Sequence, residues 1–144
     1  MRVAGYEVFT TSWADAWREA LNASEGYRRA AAAWEGAVAL VMQPDGMAGI
    51  AKRRAVFLDL WHGECRAARV AADGDLEAAD FVIEAAAATW RDLLGARSSP
   101  ILALMTGRLS LTRGDIASLL PYASASNELV ATAASIESIF PGGG

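Results

Sequence analysis

The sequence predicts an α+β domain, and three observations lead there. Its 144 residues suit one domain. Four β-capable segments between residues 37 and 85 follow two helical patterns, and a fifth follows two more short ones. The order read from periodicity is α-α-β-β-β-β-α-α-β-α. Turn signals make the first three strands antiparallel neighbours, and the helical crossover between the fourth and fifth allows that pair to run parallel. A mixed, five-stranded sheet is expected.

Residues 1–11 hold no sustained period and are expected to be irregular. Ser12 and Asp15 have capping-box spacing, and Trp13, Ala16, Trp17, Ala20 and Leu21 then repeat as one face of an amphipathic helix. Ser24 is placed to cap a second helix with Tyr27, Ala30, Ala31 and Trp34 inward and Arg28 and Arg29 outward, making a helical hairpin on the sheet. Tryptophans at this spacing read either as core or as the walls of a pocket.

The first strand, 37–43, is bounded by Gly36 and by Pro44-Asp45-Gly46. In the second, 54–61, Val56, Leu58 and Leu60 form a core row, and Phe57, Asp59 and Trp61 face the other way. His62-Gly63-Glu64 turns the chain into a third strand, 65–72, interrupted by Arg66 and Arg69. Asp73-Gly74-Asp75 leads to a fourth, 79–85, with Phe81 and Ile83 opposite Asp80, Val82 and Glu84.

Residues 90–115 are the densest in signals. Thr89 and Asp92 match a helix cap, Trp90, Leu93 and Leu94 form a stripe, and Gly95 stops it. Ser99-Pro100 starts the next helix, with Ile101, Leu104 and Met105 on one side and Gly107 at its close. A fifth strand, 108–112, turns Leu109 and Leu111 inward. Gly114-Asp115 caps a stripe of Ile116, Leu119 and Leu120, Pro121 interrupts it, and Ser126 caps a continuation through Leu129, Val130, Ala133 and Ile136. Helices this short depend on tertiary contacts and open at low cost, as a lid does.

Composition excludes several functions. A net charge of −4 opposes a nucleic-acid surface, and Lys52, Arg53 and Arg54 read as a solvated strand entrance. Cys65 is alone, so no internal disulfide forms. No run approaches the ~18 apolar residues of a membrane span, nor is there the apolar core of a signal peptide, so a cytoplasmic protein without integral membrane association is expected. Residues 1–140 are read as one domain and 141–144 as a flexible tail.

Reactive groups are as scarce. His62 and Cys65 fall short of the four ligands of structural zinc, and with Glu64 they come from one turn rather than from a preorganised catalytic constellation. No glycine-rich phosphate cradle occurs, so no metal or cofactor is expected. Asp59 either faces solvent or orients a ligand headgroup.

The helix of residues 90–95, the helix of residues 100–105, the Gly107-Arg108-Leu109-Ser110-Leu111 strand and the following Gly114-Asp115 together resemble the sterol carrier protein type (SCP-type) lipid-transfer domain, most closely its stand-alone prokaryotic branch. The similarity runs more weakly from Trp13 through Ile136, with Arg108 standing where lysine is usual. The resemblance implies a five-stranded sheet covered on one face by helices, with an apolar tunnel between the layers. It also implies a non-enzymatic carrier of fatty acid, fatty acyl-CoA or another lipid. The lipid-binding residues expected are Trp90, Leu93, Leu94, Ile101, Leu104, Met105, Leu109, Leu111, Ile116, Leu119 and Leu120. The alternative is an interaction module in which the same apolar face serves a homodimer or an enzyme partner. An empty ~300 Å³ pocket would cost on the order of 7 kcal/mol, so the pocket is expected to be filled as purified or partly collapsed.

Overall fold

The computed structural model describes residues 5–95 and 99–141. In chain order its elements are β1 (Tyr6–Glu7), α1 (Thr11–Ala23), α2 (Glu25–Ala30), β2 (Glu35–Met42), β3 (Arg54–Trp61), β4 (Glu64–Val70), α3 (Asp75–Ala78), β5 (Phe81–Ala85), α4 (Ala87–Leu94), α5 (Pro100–Met105), β6 (Ser110–Arg113), α6 (Ile116–Leu119), α7 (Ala123–Ala134) and β7 (Ser138–Ile139). The fold is α+β. Five strands form one mixed sheet in the order β4-β3-β2-β5-β6.

The sheet is mixed for a different reason from the one expected. Strands β2, β3 and β4 are antiparallel neighbours as read, but β5 and β6 are antiparallel too, and the parallel pair is β2 with β5. Ser110 at the start of β6 pairs with Glu84 near the end of β5. Two short helices therefore carry the chain out and back to the same end of the sheet, where a single crossover helix would have delivered it to the other end.

Alternation puts Val56, Leu58 and Leu60 on the helix side, beside Val38, Leu40 and Met42 of β2 and Phe81 of β5, all in the main core. The opposite face carries a second, smaller apolar cluster of Ala39, Val41, Phe57, Ala79 and Val82, against which Leu76 of α3 packs. Arg69 lies over the Phe57 ring and pairs with Asp75 at 2.9 Å. Asp75 also accepts the Ala72 N–H at 2.7 Å. These two bonds, Arg69 first, hold the Asp75 carboxyl below the usual carboxylate range. Asp59 pairs on the same outer face with Arg66 at 2.9 Å, so it does not reach the core as a headgroup anchor.

Several local signals act otherwise than read. Residues 1–4 lie outside the described part of the irregular N-terminal stretch, as do residues 142–144 of the tail. Within the former, Tyr6 and Glu7 pair in parallel with Ser138 and Ile139. Thr10, not Ser12, caps α1: its hydroxyl accepts the Trp13 N–H and donates to the Glu7 carbonyl, an arrangement only the folded N-terminal turn creates. Thr89 is buried inside α4, which starts at Ala87 to bury a longer face, and Asp92 pairs with Arg108 at 2.6 Å instead of capping. Gly95 ends that helix without entering the left-handed region. Ser126 lies within α7, which follows directly on the turn at Pro121. Ser24, Ser99 and Asp115 cap as read, through bonds from the Tyr27, Leu102 and Ser118 N–H groups.

Two glycines test how tightly β6 is fitted. Gly107 and Gly114 both have positive φ, 82° and 91°, but a Cβ on Gly107 would meet open space, whereas one on Gly114 would overlap the Phe81 ring and stand 3.1 Å from the Asp80 carbonyl oxygen. Gly107→Ala should therefore cost only the conformational penalty, about 1–2 kcal/mol. Gly114→Ala should cost that and about 1–3 kcal/mol more for overpacking. Urea melts of the two variants would check the ordering.

Candidate functional site

Between the helices and the inner sheet face lies an apolar cavity of about 80 Å³. Its walls come from most of the fold: Phe9, Trp13 and Trp17 from the start of the chain, Tyr27 from α2, Trp34 from the turn between α2 and β2 rather than from the helix as read, and Val38, Leu40, Leu60, Phe81 and Ile83 from the sheet. Tyr122, Ala125, Ser126, Leu129, Val130 and Ala133 supply the α7 side.

Four tryptophans form much of this wall, and each indole N–H is bonded away from it. Trp13 Nε1 donates to Ser138 Oγ at 2.8 Å, Trp34 Nε1 to the Gly36 carbonyl at 3.0 Å and Trp90 Nε1 to the Val41 carbonyl at 3.0 Å. Trp17 Nε1 donates to Thr132 Oγ1 at 3.0 Å and to the Leu129 carbonyl at 3.1 Å. A buried donor left unpaired is costly, so these bonds fix each ring's orientation. What the cavity meets is carbon. Tyr27 adds a phenol whose pKa is raised above its ordinary value, first by burial and then by Cys65.

Of the residues expected from sequence to hold a lipid, Trp90, Leu93, Leu94, Leu104, Leu109 and Leu119 line this cavity. Leu111 is half-buried and packs against the core. Ile101 is half-buried on α5, and Met105, Ile116 and Leu120 are exposed, with Met105 at 67%. Sequence reasoning centred on residues 90–115 missed most of the sheet and α7 walls. The signals for them were the inward rows of the strands and the Trp13, Trp17 and Trp34 stripe, which are core and wall at once.

Neither His62 nor Cys65 lines the cavity. His62 is on the outside, with its Nε2 2.6 Å from Glu35 Oε2. Cys65 is fully buried, its thiol donates to the Ala67 carbonyl, and burial pushes its pKa up to about 12. Among the described residues no group of three or more His, Cys, Asp or Glu side chains could hold a metal ion, and no helix is long and apolar enough to cross a membrane.

One polar group is out of keeping. Arg91 of α4 stacks its guanidinium 4.6 Å from the centre of the buried Phe140 ring, and its Nε and Nη2 are buried with no hydrogen-bond partner. An unsatisfied buried donor of this kind costs about 1–3 kcal/mol, more when charged.

The comparisons with known proteins agree with this architecture. The chain belongs to the SCP-2 sterol transfer family, whose model matches residues 17–125. It is similar to a sterol carrier protein 2 crystal structure, with 50% identity over 91% of this chain and all of the other and a TM-score of 0.82. It is also similar to a conserved hypothetical protein of Thermus thermophilus described as possibly a sterol carrier protein, with 49% identity over 98% of this chain and 97% of the other and a TM-score of 0.83. The apo sterol carrier protein 2 of Yarrowia lipolytica shares the fold at 18% identity, covering 92% of this chain and 95% of its own, with a TM-score of 0.59. No curated protein matches the sequence. The domain is thus of a lipid-transfer type.

The thiol gives a direct check of this packing. Cys65 should resist an aromatic disulfide reagent in the native protein and react at the rate of unfolding. Because its folded pKa is raised, its contribution to stability is complete below the pKa of an exposed thiol, about 8.5. That contribution should decline as pH rises through about 12. In Cys65→Ala this part of the alkaline loss, read by denaturant titration, should vanish.

Proposed function

We propose that this chain is a non-enzymatic carrier for a fatty-acyl or similar single-chain lipid, held in the cavity between sheet and helices. The observation that carries the reading is the wall itself: aromatic and aliphatic side chains from nine elements converge on one space, with the indole N–H groups turned out of it. A twelve-carbon chain buried there gains roughly 10 kcal/mol before association and ordering costs, which suffices without a reactive group.

The cavity of about 80 Å³ falls below the ~300 Å³ of ordinary ligand pockets, so an occupant must part the walls. The collapsed form keeps the void penalty to about 2 kcal/mol. The wall best suited to move is α5, six residues long, whose Pro100, Ala103 and Leu104 face inward and whose Leu102 and Met105 face solvent. In this reading the six cavity-lining residues expected from sequence hold the acyl chain, and Ile101, Met105, Leu111, Ile116 and Leu120 form the apolar approach to it. The carrier works in the cytoplasm.

The exposure of Leu102 at 59% and Met105 at 67% also favours a second reading, in which α5 docks a second copy or an enzyme partner. Sedimentation separates them, since an interface of that kind makes the free chain self-associate.

Organic extraction of the purified protein should release lipid in near-stoichiometric amount, or the delipidated protein should bind dodecanoate saturably. Leu104→Trp, which fills the cavity, should weaken dodecanoate at least tenfold with the melting temperature nearly kept. Met105→Trp, outside it, should weaken binding less. Absence of both extracted lipid and saturable binding would end the proposal.

A further inference from the structure

Among the described residues, Arg91 is the one charged group with buried donors that the fold leaves unpartnered. It sits on α4 one residue after Trp90 and three before Leu94, both cavity walls, and residues three apart on a helix are neighbours on its surface. Its ring partner, Phe140, follows directly on β7, whose Ile139 carbonyl accepts the Val8 N–H, so the strand pair that places the cavity residue Phe9 also holds the guanidinium's stacking platform. Phe9 in turn packs on Trp90, with ring centroids 5.6 Å apart. The nearest acidic residue in sequence, Asp92, is bonded to Arg108 at 2.6 Å.

The two unpartnered atoms, Nε and Nη2, form one edge of the guanidinium. That edge presents two parallel N–H donors, the arrangement that matches a pair of anionic oxygens on carboxylate or phosphate. The remaining nitrogen, Nη1, is not among the buried unpartnered atoms, and the residue as a whole is half-buried, so the group straddles interior and solvent. A single-chain lipid with its tail among the tryptophans has a polar end that must emerge at such a boundary.

We infer that Arg91 is the headgroup site: its Nε–Nη2 edge binds the carboxylate or phosphate of an anionic single-chain lipid whose tail occupies the cavity. The inference rests on the carrier reading and deepens it from an apolar ligand to an anionic amphiphile. Phe140 acts as the positioning residue, since stacking holds the guanidinium plane while the buried Nε–Nη2 edge has no protein partner and is reached only when the walls part for a ligand.

The test compares dodecanoate, dodecyl phosphate and dodecanol, three ligands with one tail, on the intact protein and on Arg91→Gln. Wild type should bind at least one anion tenfold or more tighter than the alcohol. Arg91→Gln should erase that preference and leave dodecanol within twofold. The anion that loses its advantage identifies the headgroup. If wild type binds dodecanol as tightly as both anions, or the variant keeps the preference, the headgroup site is wrong while the carrier reading survives. Failure of all three ligands on wild type overturns both. Should Arg91→Gln not fold, the wild-type protein still decides through the NMR titration of bound carboxyl-labelled dodecanoate and phosphorus-detected dodecyl phosphate. A facing guanidinium holds the bound acid below its free pKa, and a value at or above the free one for both overturns the inference.

Discussion

The structure depends on where its indole N–H groups go. Four bulky rings stand around one space, and each could turn its polar edge into it. Instead Trp90 is tied across the layer interface to β2, Trp17 to α7, Trp13 to β7 and Trp34 to Gly36 at the start of β2. These bonds act as struts as well as satisfying the donors. The Trp90 bond joins α4 to the sheet and the Trp17 bond joins α1 to α7, while the ring bulk sets the spacing of the layers, so the interior keeps a carbon-lined space rather than closing fully on itself. Packing on this pattern gives a cavity with little polarity because the polarity has been spent on assembling the layers.

The helices around that space differ in how firmly they are held. The walls from α1, α4 and α7 carry the tryptophan tethers, whereas the side-chain bonds at Ser99 and Thr106 only close the ends of α5 on itself, and that helix packs mainly on α7. Rigid and yielding walls are thus segregated. An incoming chain would displace the element with the fewest tethers and leave the aromatic surface intact, so access need not unfold the sheet.

Much of this was legible in the sequence, for physical reasons that differ by element. The row Val56, Leu58 and Leu60 and the caps at Ser24, Ser99 and Asp115 were readable because alternation and side-chain capping are local. The sense of β6 was not. It depends on the combined travel of α4 and α5, and neither helix encodes where the other turns back. Thr89 misled because a threonine buried under α4 and a threonine at a cap look alike until packing chooses between them. The cavity's walls were only partly readable: residues 90–119 supplied the six expected ones, but Trp13, Trp17 and Trp34 read equally as core, and the structure makes them both. Arg91 gave no signal at all, since an arginine on an amphipathic helix is ordinarily solvated.

The short parallel pair of β1 and β7 has a consequence in time. Trp13 and its partner Ser138 lie 125 residues apart, so this contact closes nearly the whole chain as one loop. Such closure cannot be rewarded until both ends are present, and its entropy is charged before the contact forms. During synthesis the sheet and the helical hairpin can organise early, but Phe9, Trp13 and Phe140 reach their final places only after the last strand has emerged. The cavity is therefore sealed only once β7 is in place, and a growing chain exposes its stickiest surface until Ser138 to Phe140 have emerged.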